Sequence, residues 1–182
     1  MGIILKKRIG SRLFFLGIFL AVSACVSGQK PPENKEEYDK AYEWRIRQEY
    51  LYDVYIPADL TDAFIQLNRL IDEPSKQKFK GMDEEEAAHQ LFFSLGRWII
   101  YNWGFYGGSR LSHFLRGLGI THPEDMGMFV MITYHRNLNR SPLEVKSLVE
   151  RFQEERKKEV EEKHKEGTIL YEETRKVGKN GG

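Results

Sequence analysis

Apolar residues recur at intervals of three and four along most of this 182-residue chain, which is the period of an amphipathic α-helix. No segment alternates apolar and polar residues with the two-residue period of a strand, and no long unit repeats. We therefore predict an all-α fold, a compact single domain of about five to seven helices. The clearest core helix carries Leu60, Ala63, Phe64, Leu67, Leu70 and Ile71 on one face.

Residues that cap helices stand at the borders of these segments. Asp, Asn and Ser side chains accept hydrogen bonds from the first backbone N–H groups of a helix, and Gly favours its end. The segment from Asn34 to about Tyr52 has a mostly tyrosine apolar face, which predicts a helical arm on the domain surface. Ser141 and Glu144 have the spacing of a capping box. The expected helix starts are Asn34, Asp59, Asp72, Asp83, Ser109, His122 and Ser141, and the expected ends are Gly81, Gly119 and Asn139.

Residues 96–111 form the most unusual segment, because they combine aromatic side chains with four glycines and two arginines. The helical pattern continues to about Asn102, residues 103–108 break it with three glycines, and Ser109 can cap the next helix. We call residues 103–108 the glycine corner. The aromatic residues in and just before the glycine corner would form a local core if buried and a docking surface if exposed, and the pattern leaves both interpretations open. They are Trp98, Trp103, Phe105 and Tyr106.

The first 24 residues have the features of a secretory signal peptide. Four basic residues precede an apolar stretch, 13–22, and small residues follow before Cys25. The apolar stretch is about ten residues long, whereas a membrane-spanning helix needs about 20. We expect this segment to be removed.

Val22-Ser23-Ala24-Cys25 resembles the lipobox of bacterial lipoproteins. The resemblance implies that Cys25 carries a diacylglycerol and that its amine carries an acyl chain such as palmitate, which together hold the protein on a membrane. Val26, where no acidic residue stands, resembles the signal for export to the outer membrane of Gram-negative bacteria, facing the periplasm. The alternative is an ordinary cleaved signal followed by an incidental Cys.

The charge of the mature chain limits the class of partner. Without the signal peptide, 24 Lys and Arg stand against 27 Asp and Glu, a formal charge of about −3. A basic footprint for nucleic acid is absent, so no nucleic-acid partner is expected. The predicted regions are a signal peptide at 1–24, a lipid-anchored tether at 25–33, a helical arm at 34–54, a helical core at 55–153, and a charged helix extension with a flexible tail at 154–182.

A set of motifs between about Tyr55 and Phe152 is similar to an uncharacterised bacterial family, one of the domains of unknown function. The resemblance implies no activity, because the family has none to transfer. Phe105-Tyr106 stands where the family pattern has a bulkier aromatic residue. The motifs are Gly96-Arg97-Trp98-Ile99, Asn102-Trp103-Gly104, Gly107-Gly108-Ser109-Arg110-Leu111, Leu118-Gly119-Ile120, His122-Pro123-Glu124-Asp125-Met126 and Tyr134-His135-Arg136-Asn137-Leu138-Asn139.

The glycine corner and the helix start after it supply the candidate binding residues. Glycines, a hydroxyl, a helix N-terminus and the guanidinium of Arg110 are the components of an anion site. Arg110 lies in the first turn of a helix, where a cation is unfavourable, so an anion should compensate it. We expect Asp125 or Glu124, with an external anionic group as the alternative. The candidate ligand or partner residues are Arg97, Trp98, Asn102, Trp103, Tyr106, Ser109, Arg110 and His113.

Histidine spacing does not indicate a metal site, because the separations match no compact ligand motif. No metal and no cofactor are expected. The serines lack the context of a catalytic nucleophile, which leaves one enzymatic alternative, a small envelope hydrolase using His113 or His135 with an acid. The residues with expected structural roles are Gly104, Gly107, Gly108, His122, Pro123, Asp125, His135 and Arg136.

These patterns favour a lipoprotein of the cell envelope without catalytic function. A short chain rich in helical packing and poor in catalytic arrangements is typical of a binding or scaffolding module. Its aromatic and arginine-bearing corner would face a protein, a peptide or another envelope component, and the lipid on Cys25 would make the membrane contact.

Replacement of Cys25 by Ser tests the lipid anchor. We expect Cys25→Ser to abolish metabolic labelling with a radioactive fatty acid and to release the protein from the membrane fraction, since the thioether cannot form. Unchanged labelling and fractionation of the variant would show that the chain has no lipid at this position.

Overall fold

The structure, a computed structural model, describes the backbone of residues 34–177 and the side chains of residues 34–165. The predicted signal peptide, Cys25 and the tether lie outside the described residues. Within them, no helix combines the length and the apolar character needed to cross a membrane.

The fold is all-α, as predicted, apart from one small hairpin. A π-helical turn, Phe92–Gly96, joins α4 to α5 without a break, so the described residues contain seven helices when this joined helix counts once. The elements are α1 (Lys35–Arg45), β1 (Tyr50–Leu51), β2 (Val54–Tyr55), α2 (Leu60–Leu70), α3 (Glu73–Lys80), α4 (Glu84–Leu91), α5 (Arg97–Asn102), α6 (Arg110–Leu118), α7 (Pro123–Leu138) and α8 (Val145–Val177).

Helix α7 is the centre of the fold. Its residues from Met126 to His135 are buried except for Met128, and it packs against α2, α3, α4, α5, α6 and α8. Its buried hydroxyls have partners: Tyr134 donates to Asn68 Oδ1 at 3.0 Å, and Thr133 donates to the carbonyl of Phe129 at 2.7 Å. Burial and the nearby charge of Glu73 raise the pKa of Tyr134 to about 12, so its hydroxyl keeps the proton that it donates.

Most of the predicted helix borders are confirmed, because local hydrogen bonds form them. Asp59 accepts from the backbone of Asp62, and Ser109 forms a reciprocal capping box with Ser112. Gly119 ends α6 with a φ of 104°, a conformation that favours glycine. The other side-chain caps that form as expected are those of Asn34, Asp72 and Asp83.

The N-terminal arm differs from its prediction, because its helix ends at Arg45 and does not continue to Tyr52. Residues 50–55 instead form a hairpin, with Leu51 opposite Val54 and a turn at Tyr52 and Asp53, whose φ angles are 51° and 63°. Strands of two residues are too short to show an alternating pattern. The buried Leu51 secures the hairpin to the core.

Two further predictions, one about a helix start and one about a helix face, are wrong. Ser141 does not cap α8, which begins at Val145 after Glu144 adopts a φ of 47°. The backbone of α8 continues to Val177, within the region predicted as a charged helix extension with a flexible tail, 154–182. Leu70, expected in the core, is exposed, since it lies in the last turn of α2 beyond the contact with α7.

The π-helical turn was not foreseen. It inserts an extra residue into the helix, which rotates the side chains that follow. Gly96 fits there because a Cβ at this position would lie 2.8 Å from Met131 Sδ and 2.9 Å from Phe92. The turn places Phe92 against the core and leaves Phe93 in solvent.

Substitution of Gly127 tests the contact between α5 and α7. A Cβ on Gly127 would lie 2.7 Å from Ile100 Cγ1, so Gly127→Ala should destabilise the fold by about 1–3 kcal/mol. Urea unfolding followed by circular dichroism measures the change. The same substitution should cost less in an Ile100→Ala background, which removes the clashing atoms.

Gly117→Ala is the matched control. Gly117 lies in α6, and no heavy atom stands within 4 Å of the place that a Cβ would take, so alanine should stabilise the helix by roughly 0.5–1 kcal/mol. Equal effects at Gly117 and Gly127 would contradict the proposed close contact.

Candidate functional site: the glycine corner and an exposed aromatic face

The glycine corner turns the chain from α5 into α6 around two buried aromatic residues. Trp103 is 1% exposed and Phe105 is fully buried. Gly104 and Gly108 have φ angles of 67° and 86°, which the sharp turn requires. Of the two interpretations that the pattern left open, burial in a local core applies to Trp103 and Phe105.

The neighbouring aromatic residues lie in solvent. Phe93 is 76% exposed, Tyr101 60%, Tyr106 50% and Trp98 36%. With the partly buried Arg97 they form what we call the aromatic face. It is defined by Phe93, Arg97, Trp98, Tyr101 and Tyr106.

Ring contacts organise the aromatic face. The guanidinium of Arg97 lies over the ring of Phe93 at 5.7 Å, and the rings of Tyr101 and Tyr106 lie 5.7 Å apart. Trp98 rests with its edge against the buried Trp103, their centroids 6.0 Å apart. Because Phe93, Arg97 and Tyr101 follow at four-residue intervals, they line one side of the helix.

Arg97 and Asn102 have different roles. Among the residues whose side chains are described, no carboxylate lies within ion-pair distance of Arg97. Asn102 donates from Nδ2 to the carbonyl of Trp98 at 2.9 Å and so satisfies the end of α5. Arg97 is therefore available to an external group, whereas the Asn102 amide is engaged within the helix.

Helix α1 covers the glycines that were expected to form an anion site. Arg45 donates from Nε to the carbonyl of Gly108 at 3.0 Å, and its guanidinium occupies the space beside Gly107. The ring of Tyr42 fills the space that a Cβ on Gly108 would need. The glycines thus admit two side chains of α1, and Ser109 is fully buried in its own capping box.

Arg110 points away from the glycine corner, toward α2 and the hairpin. It donates from Nε to the carbonyl of Ile56 at 2.6 Å and lies over the ring of Tyr55 at 5.0 Å. Its other nitrogens lie 3.5 Å from Glu49 and 3.7 Å from Asp62. The prediction of an internal carboxylate partner holds, but the residues named for it were wrong.

Asp125 pairs with a different arginine. Arg156 of α8 binds both carboxylate oxygens of Asp125, one of them at 3.0 Å from Nε. The reason is geometric: α6 begins beside the start of α2, while the start of α7 faces α8. This pairing raises the pKa of Arg156 through the hydrogen bonds to Asp125, with burial opposing.

Asp62 is the carboxylate beside Arg110 with the most hydrogen bonds. Burial raises the pKa of Asp62, but other contacts outweigh burial and hold this pKa below its ordinary value. They are hydrogen bonds from the Ala58 backbone, the Tyr55 hydroxyl and Gln66, together with the charge of Arg110. The hydrogen bond to Asp62 raises the pKa of Tyr55, which keeps the phenol protonated as a donor.

The histidines lie in separate environments. His113 Nδ1 lies 3.2 Å from the Tyr42 hydroxyl at the surface. His122 occupies the N-cap position of α7, but its side chain makes no capping hydrogen bond, and Pro123 is the first helical residue. His135 is buried, with Nε2 3.1 Å from the carbonyl of Met82. The part of the chain that the structure describes contains no group of three metal-ligating side chains.

Arg136 joins three segments of the fold through its guanidinium. It donates to both oxygens of Glu84, at 2.8 and 2.7 Å, and to the carbonyl of Leu143 at 2.7 Å. These bonds to Glu84 raise the pKa of Arg136 although burial opposes the shift. The guanidinium thus joins the start of α4 to the end of α7 and to the loop before α8.

A groove between α4, α7 and α8 was missed by sequence reasoning. It has a volume of about 350 Å³, an apolar floor and a charged rim. Its residues come from three distant segments, so no local motif could have indicated it. The floor is formed by Phe92, Met128, Ile132 and Phe152, and the rim by Glu85, His89, Glu124, Asp125, Arg151 and Glu155.

The Arg110 and Asp62 contact predicts a specific response to acid. A carboxyl whose pKa is depressed in the folded state stabilises the fold above its unfolded pKa, about 3.9, and loses that contribution as the pH falls through the folded pKa. Asp62→Asn should therefore be less stable than wild type at pH 7 and should lose less stability between about pH 5 and pH 3. Thermal unfolding across this range measures both effects.

Two further variants sharpen this test. Arg110→Met should cost about 1–3 kcal/mol at pH 7, since a partly buried carboxylate and carbonyl lose their donor. Asp53→Asn removes a carboxylate from the exposed hairpin turn and should leave the stability within about 0.5 kcal/mol of wild type. A parallel loss of stability in wild type and Asp62→Asn would contradict the assignment.

Comparison with known proteins identifies the central part of the chain. A family model described as a domain of unknown function (DUF6794) matches residues 56–138. No curated protein and no solved structure matches the chain. The matched residues contain the glycine corner, the aromatic face and all of α7, while α1, the hairpin and α8 lie outside them. Residues 56–138, a little under half of the chain, therefore match an uncharacterised family, the domain of unknown function DUF6794.

Proposed function

We propose that this protein is a lipid-anchored binding module of the bacterial cell envelope, without catalytic function, which presents its aromatic face to an envelope component. The main observation in support of this proposal is the solvent exposure of the rings around Arg97, those of Phe93, Trp98, Tyr101 and Tyr106. The lipid anchor and the envelope location depend on residues 1–33, which lie outside the described part of the chain.

The composition of the aromatic face supports a binding role. Aromatic residues and arginine are the side chains that contribute most to binding interfaces, because they bury a large area with few rotatable bonds. Single exposed apolar residues are ordinary, but here four exposed rings lie on one helix and its corner, where Phe93 contacts Arg97, Tyr101 contacts Tyr106 and Trp98 rests on the buried Trp103.

The aromatic face is also held in place before any partner binds. Ile99 and Ile100, on the inner side of α5, are buried, and the corner beneath is fixed by Trp103 and Phe105. Trp98 is supported from below by Trp103. A surface of this kind loses little conformational entropy on binding, which favours affinity.

The histidine environments favour binding over hydrolysis. His113 is paired with the Tyr42 hydroxyl and not with an acid. His135 has an acid nearby, Glu84 at 4.0 Å, but the histidine is buried and Glu84 is engaged by Arg136. A hydrolytic site would need a base and its acid converging at a surface open to substrate.

Photo-crosslinking in cells tests the proposed function. A benzoylphenylalanine placed at Tyr101 or Tyr106 should form discrete adducts with an envelope component, identified by mass spectrometry of the cross-linked chain. Ile65, which is 45% exposed on α2, is the control position and should give no such adduct.

Substitutions on the aromatic face should remove the adducts. Phe93→Ser with Arg97→Glu should lower adduct yield at least about tenfold, because each change removes an exposed contact worth about 1 kcal/mol or more. The melting temperature should stay within about 2 °C of wild type, since neither side chain is in the core. Adducts that are equally strong from position 65, or unaffected by the double substitution, would exclude this face as the binding surface.

A further inference from the structure

The region that carries the aromatic face contains no acidic residue. The chain has 27 Asp and Glu, but none lies between residues 87 and 123, a stretch that includes Arg97, Arg110 and Arg116. This stretch supplies the end of α4, the π-helical turn, α5, the glycine corner and α6. In a chain with a mature formal charge of about −3, this segment therefore has no negative side chain of its own, although Glu49 and Asp62 of neighbouring elements lie beside Arg110.

The exposed side chains of this region match the interface of a lipid bilayer. Tyr and Trp rings favour the headgroup level, where one end is apolar and the other is hydrated. Phe93 is an apolar ring with 76% of its surface in solvent, and Arg97 beside it has no carboxylate partner among the described side chains. Arginine binds phosphate well while its methylenes lie along apolar surface.

The attachment of α1 limits how far the aromatic face can lie from the predicted anchor. Arg45 and Tyr42 fix α1 directly on Gly107 and Gly108, the residues that follow Tyr106. The eight residues 26–33 separate Cys25 from the described chain, and a segment of that length spans at most roughly 30 Å. With a lipid on Cys25, the aromatic face stays within reach of the bilayer.

We propose that the aromatic face lies on an anionic phospholipid surface, with Arg97 at the phosphates and the rings of Phe93, Trp98, Tyr101 and Tyr106 in the interface. This inference rests on the proposed function and names the occupant of its surface. The lipid on Cys25 supplies attachment, and the aromatic face sets the orientation of the domain on the membrane. An exposed aromatic face whose arginine has no carboxylate partner among the described side chains favours lipid phosphates over a partner that relies on basic residues.

Quenching of tryptophan fluorescence by brominated lipids tests the inference. The mature chain, as isolated from the cells that make it, is mixed with or reconstituted into vesicles of phosphatidylethanolamine and phosphatidylglycerol with brominated acyl chains. We expect quenching that disappears in Trp98→Phe and persists in Trp44→Phe, because Trp98 lies on the aromatic face and Trp44 on α1. The readout is the same whether or not Cys25 carries a lipid.

Charge variants and vesicles of different lipid composition test the role of charge in the quenching experiment. Arg97→Glu should reduce quenching several-fold, and vesicles of phosphatidylcholine alone should do the same, since both remove the attraction between guanidinium and anionic lipid. Arg140→Glu, an exposed arginine in the loop after α7, is the matched control and should leave quenching unchanged. Quenching that survives Trp98→Phe, or that is absent from wild type, overturns the inference.

The experiments test the binding function and the phospholipid surface separately. Absent quenching together with crosslinks from Tyr101 to a protein would overturn the lipid surface and leave the binding function standing. Absent quenching together with absent crosslinks would overturn both.

Discussion

Close packing of α5 against α7 fixes the surfaces of this protein. Ile100 approaches Gly127 so closely that a methyl group at that position would overlap it, and Met131 does the same at Gly96. Because α7 is buried on nearly all sides, it cannot shift without opening its contacts with the other helices. The outer side of α5 is consequently a rigid base for Arg97 and Tyr101.

The joined α4–α5 helix contributes to two separate surfaces. At the π-helical turn, Phe92 lines the groove between α4, α7 and α8, and Phe93 points outward to the aromatic face. The extra residue rotates the side chains of α5 relative to a regular α-helix, so the placement of Arg97 and Tyr101 depends on this local departure. Such turns are frequent at functional sites.

Ion pairs of three arginines join the helices that surround α5 and α7. Arg110 joins α6 to α2 and the hairpin, Arg136 joins α7 to α4, and Arg156 joins α8 to the start of α7. Each is partly buried, so loss of its nearest carboxylate would leave a charge that is compensated less well. Residues with the chemistry of a binding site, such as Ser109 and Arg110, therefore have structural roles here, while Arg97 keeps its guanidinium free of carboxylates in the described structure.

The sequence by itself determined the helical class and most helix starts, because a cap such as Asp59 bonds a backbone N–H only three residues away and needs no distant partner. It could not determine the partner of Arg110, whose nearest acceptor is a carbonyl 54 residues earlier, since several carboxylates were chemically equivalent. Nor could it separate the exposed Trp98 from the buried Trp103. Which of the two tryptophans is buried depends on packing against α7, and so does the π-helical turn. There the shapes of residues far apart in the chain determine which side chain fits.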